Sequence, residues 1–189
     1  MWSALVLSFG VIFVAELGDK SQLMALAFAA RFKAWPVLVG ITIATAATHA
    51  ISVGIGSVLG AQLPTDTIAV IAGAAFLLFA GWTLRGDSLD DDEAGAAERT
   101  TRNAVVAASV AFFLAELGDK TMLATITLAT KEDPWGTFFG STLGMVAADA
   151  LAIVVGQLLG ARLPERAIRI GATIAFVVFG VLLIVEGLR

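Results

Sequence analysis

The chemistry of this chain starts with five residues that occur twice. Glu16-Leu17-Gly18-Asp19-Lys20 returns as Glu116-Leu117-Gly118-Asp119-Lys120, each copy preceded by an alanine and set in strongly apolar sequence. On a helix, Glu16 and Asp19 share one face three residues apart, and Lys20 lies four residues on from Glu16. Such a pattern is common on solvated surfaces, but inside an apolar stretch ionisable side chains are costly and point to function. Carboxylates recruit a positively charged species. The four acids Glu16, Asp19, Glu116 and Asp119 against Lys20 and Lys120 leave a net charge of −2, which one divalent cation would balance. With the hydroxyls of Ser21 and Thr121 and backbone carbonyls, they form a hard oxygen donor set suited to Ca²⁺, Mg²⁺ or Mn²⁺. The chain has no cysteine and a single histidine, which argues against a dedicated Zn²⁺ or Cu⁺ carrier and excludes disulfides and Fe–S clusters. Gly18 and Gly118 can let their helices open and offer carbonyl oxygens.

Other polar residues lie at similar depth. Asp149 stands alone in an apolar run, and His49 occupies the equivalent position in the first half, among Thr45, Thr48 and Ser52. Both are candidates for ligand or proton-relay roles, the imidazole because it exchanges protons near neutral pH; His49 reads equally well as a hydrogen-bonded interior residue. Thr42 and Thr142 read as packing or interhelical hydrogen bonds, and Trp35 and Trp135 as interfacial anchors. Gly56-x-x-x-Gly60 and Gly156-x-x-x-Gly160 read as helix-packing surfaces. Like charges confined in a poorly hydrated place need counter-charges, so a metal ion and protons become alternative occupants of the acid cluster, as antiport requires.

The elements that must position these residues are membrane helices. Hydrophobic residues make up 58% of the 189, charges 15% against about 25% in soluble domains, and the mean hydropathy is +0.90. Six spans follow, at 3–30, 35–61, 66–84, 104–130, 135–161 and 167–187, each about 20 residues or more. The longer ones should tilt, bend or break near their glycines. The first apolar run leads into the motif without a basic segment before it, and so reads as a span rather than a cleaved signal. Pro36, Pro64, Pro134 and Pro164 all lie near span starts, where a missing N–H costs little. The repeat extends beyond the motif without a gap: Trp35 matches Trp135, Gly40 matches Gly140, Pro64 matches Pro164, and Phe76 and Phe79 match Phe176 and Phe179.

Three spans per half is odd, so the expected fold is an all-α integral membrane protein of six transmembrane helices in two inverted-topology three-helix repeats. The division is 1–85, a cytoplasmic acidic linker at 86–102, and 103–189. Eight Lys and Arg residues fall on one side (Arg31, Lys33, Arg85, Arg99, Arg102, Arg162, Arg166, Arg169) and two on the other (Lys131, Arg189). That bias puts the linker inside and both termini outside. The net charge of −4 comes largely from Asp87 to Glu93, and no nucleic-acid partner is expected.

The duplicated E-x-G-D-K-[ST] signature, Glu16 to Ser21 and Glu116 to Thr121, resembles the family of Golgi calcium/manganese–proton exchangers and bacterial manganese exporters over nearly the whole chain. The resemblance implies a transporter rather than an enzyme, with Mn²⁺ or Ca²⁺ as substrate, protons as counter-ion and no resident cofactor. It assigns cation binding to Glu16, Asp19, Glu116 and Asp119, supported by Ser21 and Thr121. The excess of Arg over Lys, the single Asn and the richness in Ala, Gly and Val look bacterial, which makes export across a plasma membrane the expectation. Three rivals stand beside it: a basic amino-acid exporter of the same 3+3 layout, an intramembrane aspartyl protease using the two Gly-Asp pairs, and a purely structural subunit. The lysines and extra glutamates disfavour a protease dyad, whose acids must share one proton, and a compact four-acid cluster suits a small ion better than an amino acid.

Overall fold

The computed structural model describes residues 1–62, 64–85, 103–159 and 165–188, and these are all helix and short connections. The linker 86–102, Gly160 and Pro164 lie outside the described residues. The helices are α1 (Trp2–Glu16), α2 (Lys20–Arg31), α3 (Ala34–Gln62) and α4 (Thr65–Arg85), then α5 (Ala104–Glu116), α6 (Lys120–Lys131), α7 (Pro134–Leu159) and α8 (Glu165–Gly187). Two of them, α3 and α7 as far as Gly156, are long and apolar enough to cross a membrane alone, and α1 with α2 qualify together as one span bent by 74°. The segments Asp66–Leu78, Ala104–Glu116 and Phe176–Val185 are shorter apolar helices. Two to three of the six expected spans therefore meet that length and composition among the described residues.

The bend falls on the motif. Leu17 is extended, Gly18 takes φ +76°, and Asp19 is extended again before α2 begins at Lys20. The second copy does the same, with Gly118 at φ +78° between extended Leu117 and Asp119. A left-handed residue at this point strains any side chain with a Cβ, which is why glycine separates the two acids. Each break is closed by a backbone bond back to the glutamate: Asp19 N–H donates to Glu16 O at 3.1 Å, and Asp119 N–H to Glu116 O at 3.2 Å. The second and fifth expected spans, by contrast, run through their glycines as unbroken helices of 29 and 26 residues.

Each half holds the other's broken helix. The long helix α7 of the second half carries α1 and α2, while α3 of the first half carries α5 and α6. Glycines permit the close approach. A Cβ at Gly40 would sit 2.6 Å from the Val105 carbonyl oxygen, and one at Gly140 would run into that of Leu5, the equivalent residue. Gly56 likewise meets Ile126, and Gly156 meets Leu26. Residues 100 positions apart also touch each other: Thr45 Oγ1 lies 3.5 Å from Met145 Sδ, and the Phe76 and Phe176 rings are 5.8 Å apart, where α4 packs on α8.

Two buried apolar clusters repeat the pattern. Met24, Phe28, Ala111, Phe112 and Ala115 form part of one, and their equivalents Ala124, Leu128, Val11, Ile12 and Ala15 form part of the other. The exterior is apolar as well, with Ile43, Ile55, Val58, Leu78, Leu114, Leu143, Ile174 and Leu182 all exposed beside the span-end tryptophans Trp35 and Trp135. Water would not tolerate so continuous a surface of this kind, and hydrocarbon would. The motif acids and most of the hydroxyls near them are inside.

Candidate cation site

The interior between the two breaks holds Glu16, Asp19, Ser21, Glu116, Asp119, Lys120 and Thr121, all nearly or fully buried, with His49 and Asp149 buried on the long helices. Lys20 is half-buried. Glu16 closes α1, and its two carboxylate oxygens are claimed by hydroxyls from both halves: Ser21 Oγ donates to Oε1, and Thr121 Oγ1 donates to Oε2 at 3.0 Å. The ammonium of Lys120, the first residue of α6, is ion-paired with Asp19 Oδ1 of the first half. The Thr121 and Lys120 contacts exist because the opposite half's broken helix is brought alongside by a long helix.

The charges form one field. Glu16 interacts electrostatically with Glu116, Asp19, Asp149 and Lys120, and Glu116 with Asp119, Asp19, Asp149 and Lys20. Asp149 therefore belongs with the four motif acids. Glu116 Oε1 and both oxygens of Asp149 are buried without a hydrogen-bond partner, an arrangement that is costly unless a proton or a cation completes it. His49 is committed elsewhere, with Nδ1 3.3 Å from Thr142 Oγ1 across the α3–α7 contact. Among the described residues, no group of three or more His, Asp and Glu side chains stands in metal-holding geometry. The acids lie within electrostatic reach of one another, and a lysine stands at one of them.

One participant escaped sequence reading. Gln22, buried at 3% exposure, accepts a hydrogen bond from Gly18 N–H through Oε1 at 2.8 Å and donates through Nε2 to the Ala148 carbonyl at 3.0 Å. It ties the first break to the residue before Asp149. The available signal was an amide next to the motif in an apolar run, replaced in the second copy by Met122. There, Gly118 N–H meets Met122 Sδ at 3.2 Å.

Described residues that are all helix and short connections, with an apolar exterior and buried acids from both halves, fit a multi-pass membrane transport protein. More specifically, residues 4–91 and 104–189 match the family described as Divalent cation/proton antiporter GDT1, and the chain belongs to that family. Its members are transporters, not enzymes. A Vibrio cholerae protein named "Putative manganese exporter" is 37% identical over 171 residues, covering 88% of this chain and 83% of that one. A Synechocystis protein, GDT1-like protein sll0615, is 30% identical over 189 residues, covering 90% and 91%. The Arabidopsis thaliana chloroplast protein PAM71 is 32% identical over 209 residues, and the match spans 95% of this chain and 56% of the longer plant protein. No solved structure matches the chain.

Proposed function

We propose that this chain exports Mn²⁺, with Ca²⁺ as a second substrate, in exchange for protons, through a site that both halves build. The observation carrying the proposal is the placement of Glu16. Its oxygens are held by Ser21 from its own half and Thr121 from the other, beside buried acid oxygens of Glu116 and Asp149 that have no hydrogen-bond partner. In this reading Glu16, Asp19, Glu116 and Asp119 supply the cation ligands, and the hydroxyls orient Glu16. Asp149 takes protons when the cation leaves, and His49 assists across α3 and α7. Oxygen ligands without thiolate favour Mn²⁺ and Ca²⁺ over softer metals, and the Vibrio relative's name favours manganese.

The same proposal includes the topology. Six spans in two inverted three-helix repeats, 1–85 and 103–189, are joined by a cytoplasmic linker at 86–102, with both termini outside a bacterial plasma membrane. The bent pair α1–α2, the unbroken α3 and the reciprocal contacts of residues 100 positions apart support it. Rocking of one half against the other around the acids would then expose them alternately to the two sides.

The test is flux in proteoliposomes with an imposed pH gradient, clamped voltage and a pH-sensitive dye inside. Inward protons are expected to drive Mn²⁺ outward, and Mn²⁺ binding is expected to weaken at acid pH because protons compete for the same oxygens. Cation flux that ignores the gradient and moves no protons would reduce the protein to a uniporter or channel.

A further inference from the structure

The ion pair between Asp19 and Lys120 does something that local helix geometry does not require. It joins opposite halves, both side chains are almost completely buried, and it occupies one of the carboxylates assigned above to the cation. Lys20, carrying the same letter in the other copy, is half-buried. The acids Glu16, Glu116 and Asp149 lie within electrostatic reach of Asp19, yet no three acids converge on one point among the described residues.

We propose that the Lys120 ammonium is a tethered stand-in for the transported cation, resting on Asp19 when the site is empty and displaced when a divalent ion binds. This rests on the reading of Asp19 as a ligand. A buried carboxylate needs a counter-charge in every state of the cycle, and an ammonium on a flexible four-carbon stem can supply one and then withdraw without leaving the protein. The stem is anchored at the first residue of α6, beside the break, so the lysine can move while the helix stays docked on α3. The device also discriminates by charge. An ion with two charges gains more from the acid cluster than the single ammonium it displaces. A monovalent ion such as Na⁺ offers the same charge as the lysine and must also shed water. Lys120 is thus a positioning and selectivity residue that acts through Asp19.

The probe is Mn²⁺ binding to the purified full-length protein by titration calorimetry, with and without competing Na⁺. Lys120→Gln and Lys120→Met are expected to tighten Mn²⁺ binding by at least about tenfold, since a unit charge next to the ion is removed from a poorly screened place. Both should also make binding newly sensitive to Na⁺, while Lys120→Arg stays near wild type. Lys20→Gln should change affinity less, in keeping with the half-buried position of that residue. A gain of affinity cannot come from misfolding, and two replacements guard against one of them folding poorly. If wild type binds Mn²⁺ and both charge-removing variants bind it equally or more weakly, the stand-in role is overturned. If neither wild type nor any variant binds Mn²⁺, the cation site itself has been misassigned, and this inference falls with it.

Discussion

The two halves spell their motif with the same letters, yet the residues around each copy behave differently. In the first half Glu16 has both oxygens hydrogen-bonded, Gly18 is half-buried and held by the Gln22 amide, and Lys20 is half-buried. In the second, Glu116 Oε1 is buried without a hydrogen-bond partner, Gly118 is exposed beside a methionine sulfur, and Lys120 is buried against Asp19. On the long helices the first half carries a histidine bonded to Thr142, and the equivalent position of the second carries an aspartate whose two oxygens have no hydrogen-bond partner. Duplication thus supplies a symmetric frame. In the reading proposed above, a few unmatched positions make one copy the fixed side of the site and the other the adaptable side. An antiporter has use for both, because one acid must stay oriented while another changes occupant.

The sharpest way to break this comparison is to neutralise the two glutamates separately. Glu16→Gln and Glu116→Gln keep size and remove one charged donor each. Both are expected to cut Mn²⁺ transport by about 100-fold or more, the upper end of losses when a metal site's polar support is removed. They should differ in stability. Glu16→Gln must rearrange two hydroxyl donors, whereas Glu116→Gln alters an Oε1 that has no hydrogen bond to lose, so only Glu16→Gln should lower the thermal midpoint measured in detergent. Normal transport from either variant would mean that the site belongs to one half alone.

Much of this was legible in the letters, and the part that was not has a definite cause. The repeat, the opening at Gly18 and Gly118 and the gathering of hydroxyls with acids follow from identical residues at one offset and from glycine's freedom at positive φ. Partner choice does not follow. Identical motifs cannot say which lysine reaches which aspartate, and the halves differ outside the motif, as at Gln22 against Met122 and His49 against Asp149. The hydropathy pattern read α1 with α2 as one span because the mean over a window is blind to a break of three residues. His49 and Asp149 were placed as equivalents, and only the packing of α3 on α7 shows that His49 spends a ring nitrogen on Thr142.

A gentler change sharpens the comparison by exchanging the residues that follow the breaks. Gln22→Met removes the acceptor for the half-buried Gly18 N–H and the buried donor to Ala148 O. A loss of about 2 kcal/mol is expected, because Gly18 N–H is left without its acceptor while the Ala148 carbonyl, inside α7, loses its second donor. Slower transport should accompany it, because the carbonyl before Asp149 is no longer tied to the first break. The reverse change, Met122→Gln, sits next to an exposed turn and should be close to neutral. Equal effects from the two, measured by chemical denaturation in detergent and by flux, would contradict a fixed first half and an adaptable second one.

The smallest effect expected comes from the threonines one helix face away. Thr142 lies on α7, is 8% exposed, and is the hydrogen-bond partner of His49 Nδ1 at 3.3 Å. Its equivalent Thr42 is exposed and returns its hydroxyl to the Leu38 carbonyl of its own helix at 2.7 Å. Valine matches threonine in shape and removes only the hydroxyl. At position 142 this leaves a buried ring nitrogen with nothing to bond, at a cost of about 1–2 kcal/mol. At position 42 it leaves a carbonyl that already accepts from the helix ladder, so the change should be neutral or slightly stabilising against lipid. The imidazole gives the experiment a second readout. If the Thr142 hydroxyl fixes which ring nitrogen carries the proton, Thr142→Val should alter the His49 nitrogen shifts in an NMR titration while Thr42→Val leaves them unchanged. Indistinguishable behaviour of the two valine variants, in stability and in the spectrum, would mean that His49 is held by its packing alone and that the long helices are as symmetric as their sequence offset suggests.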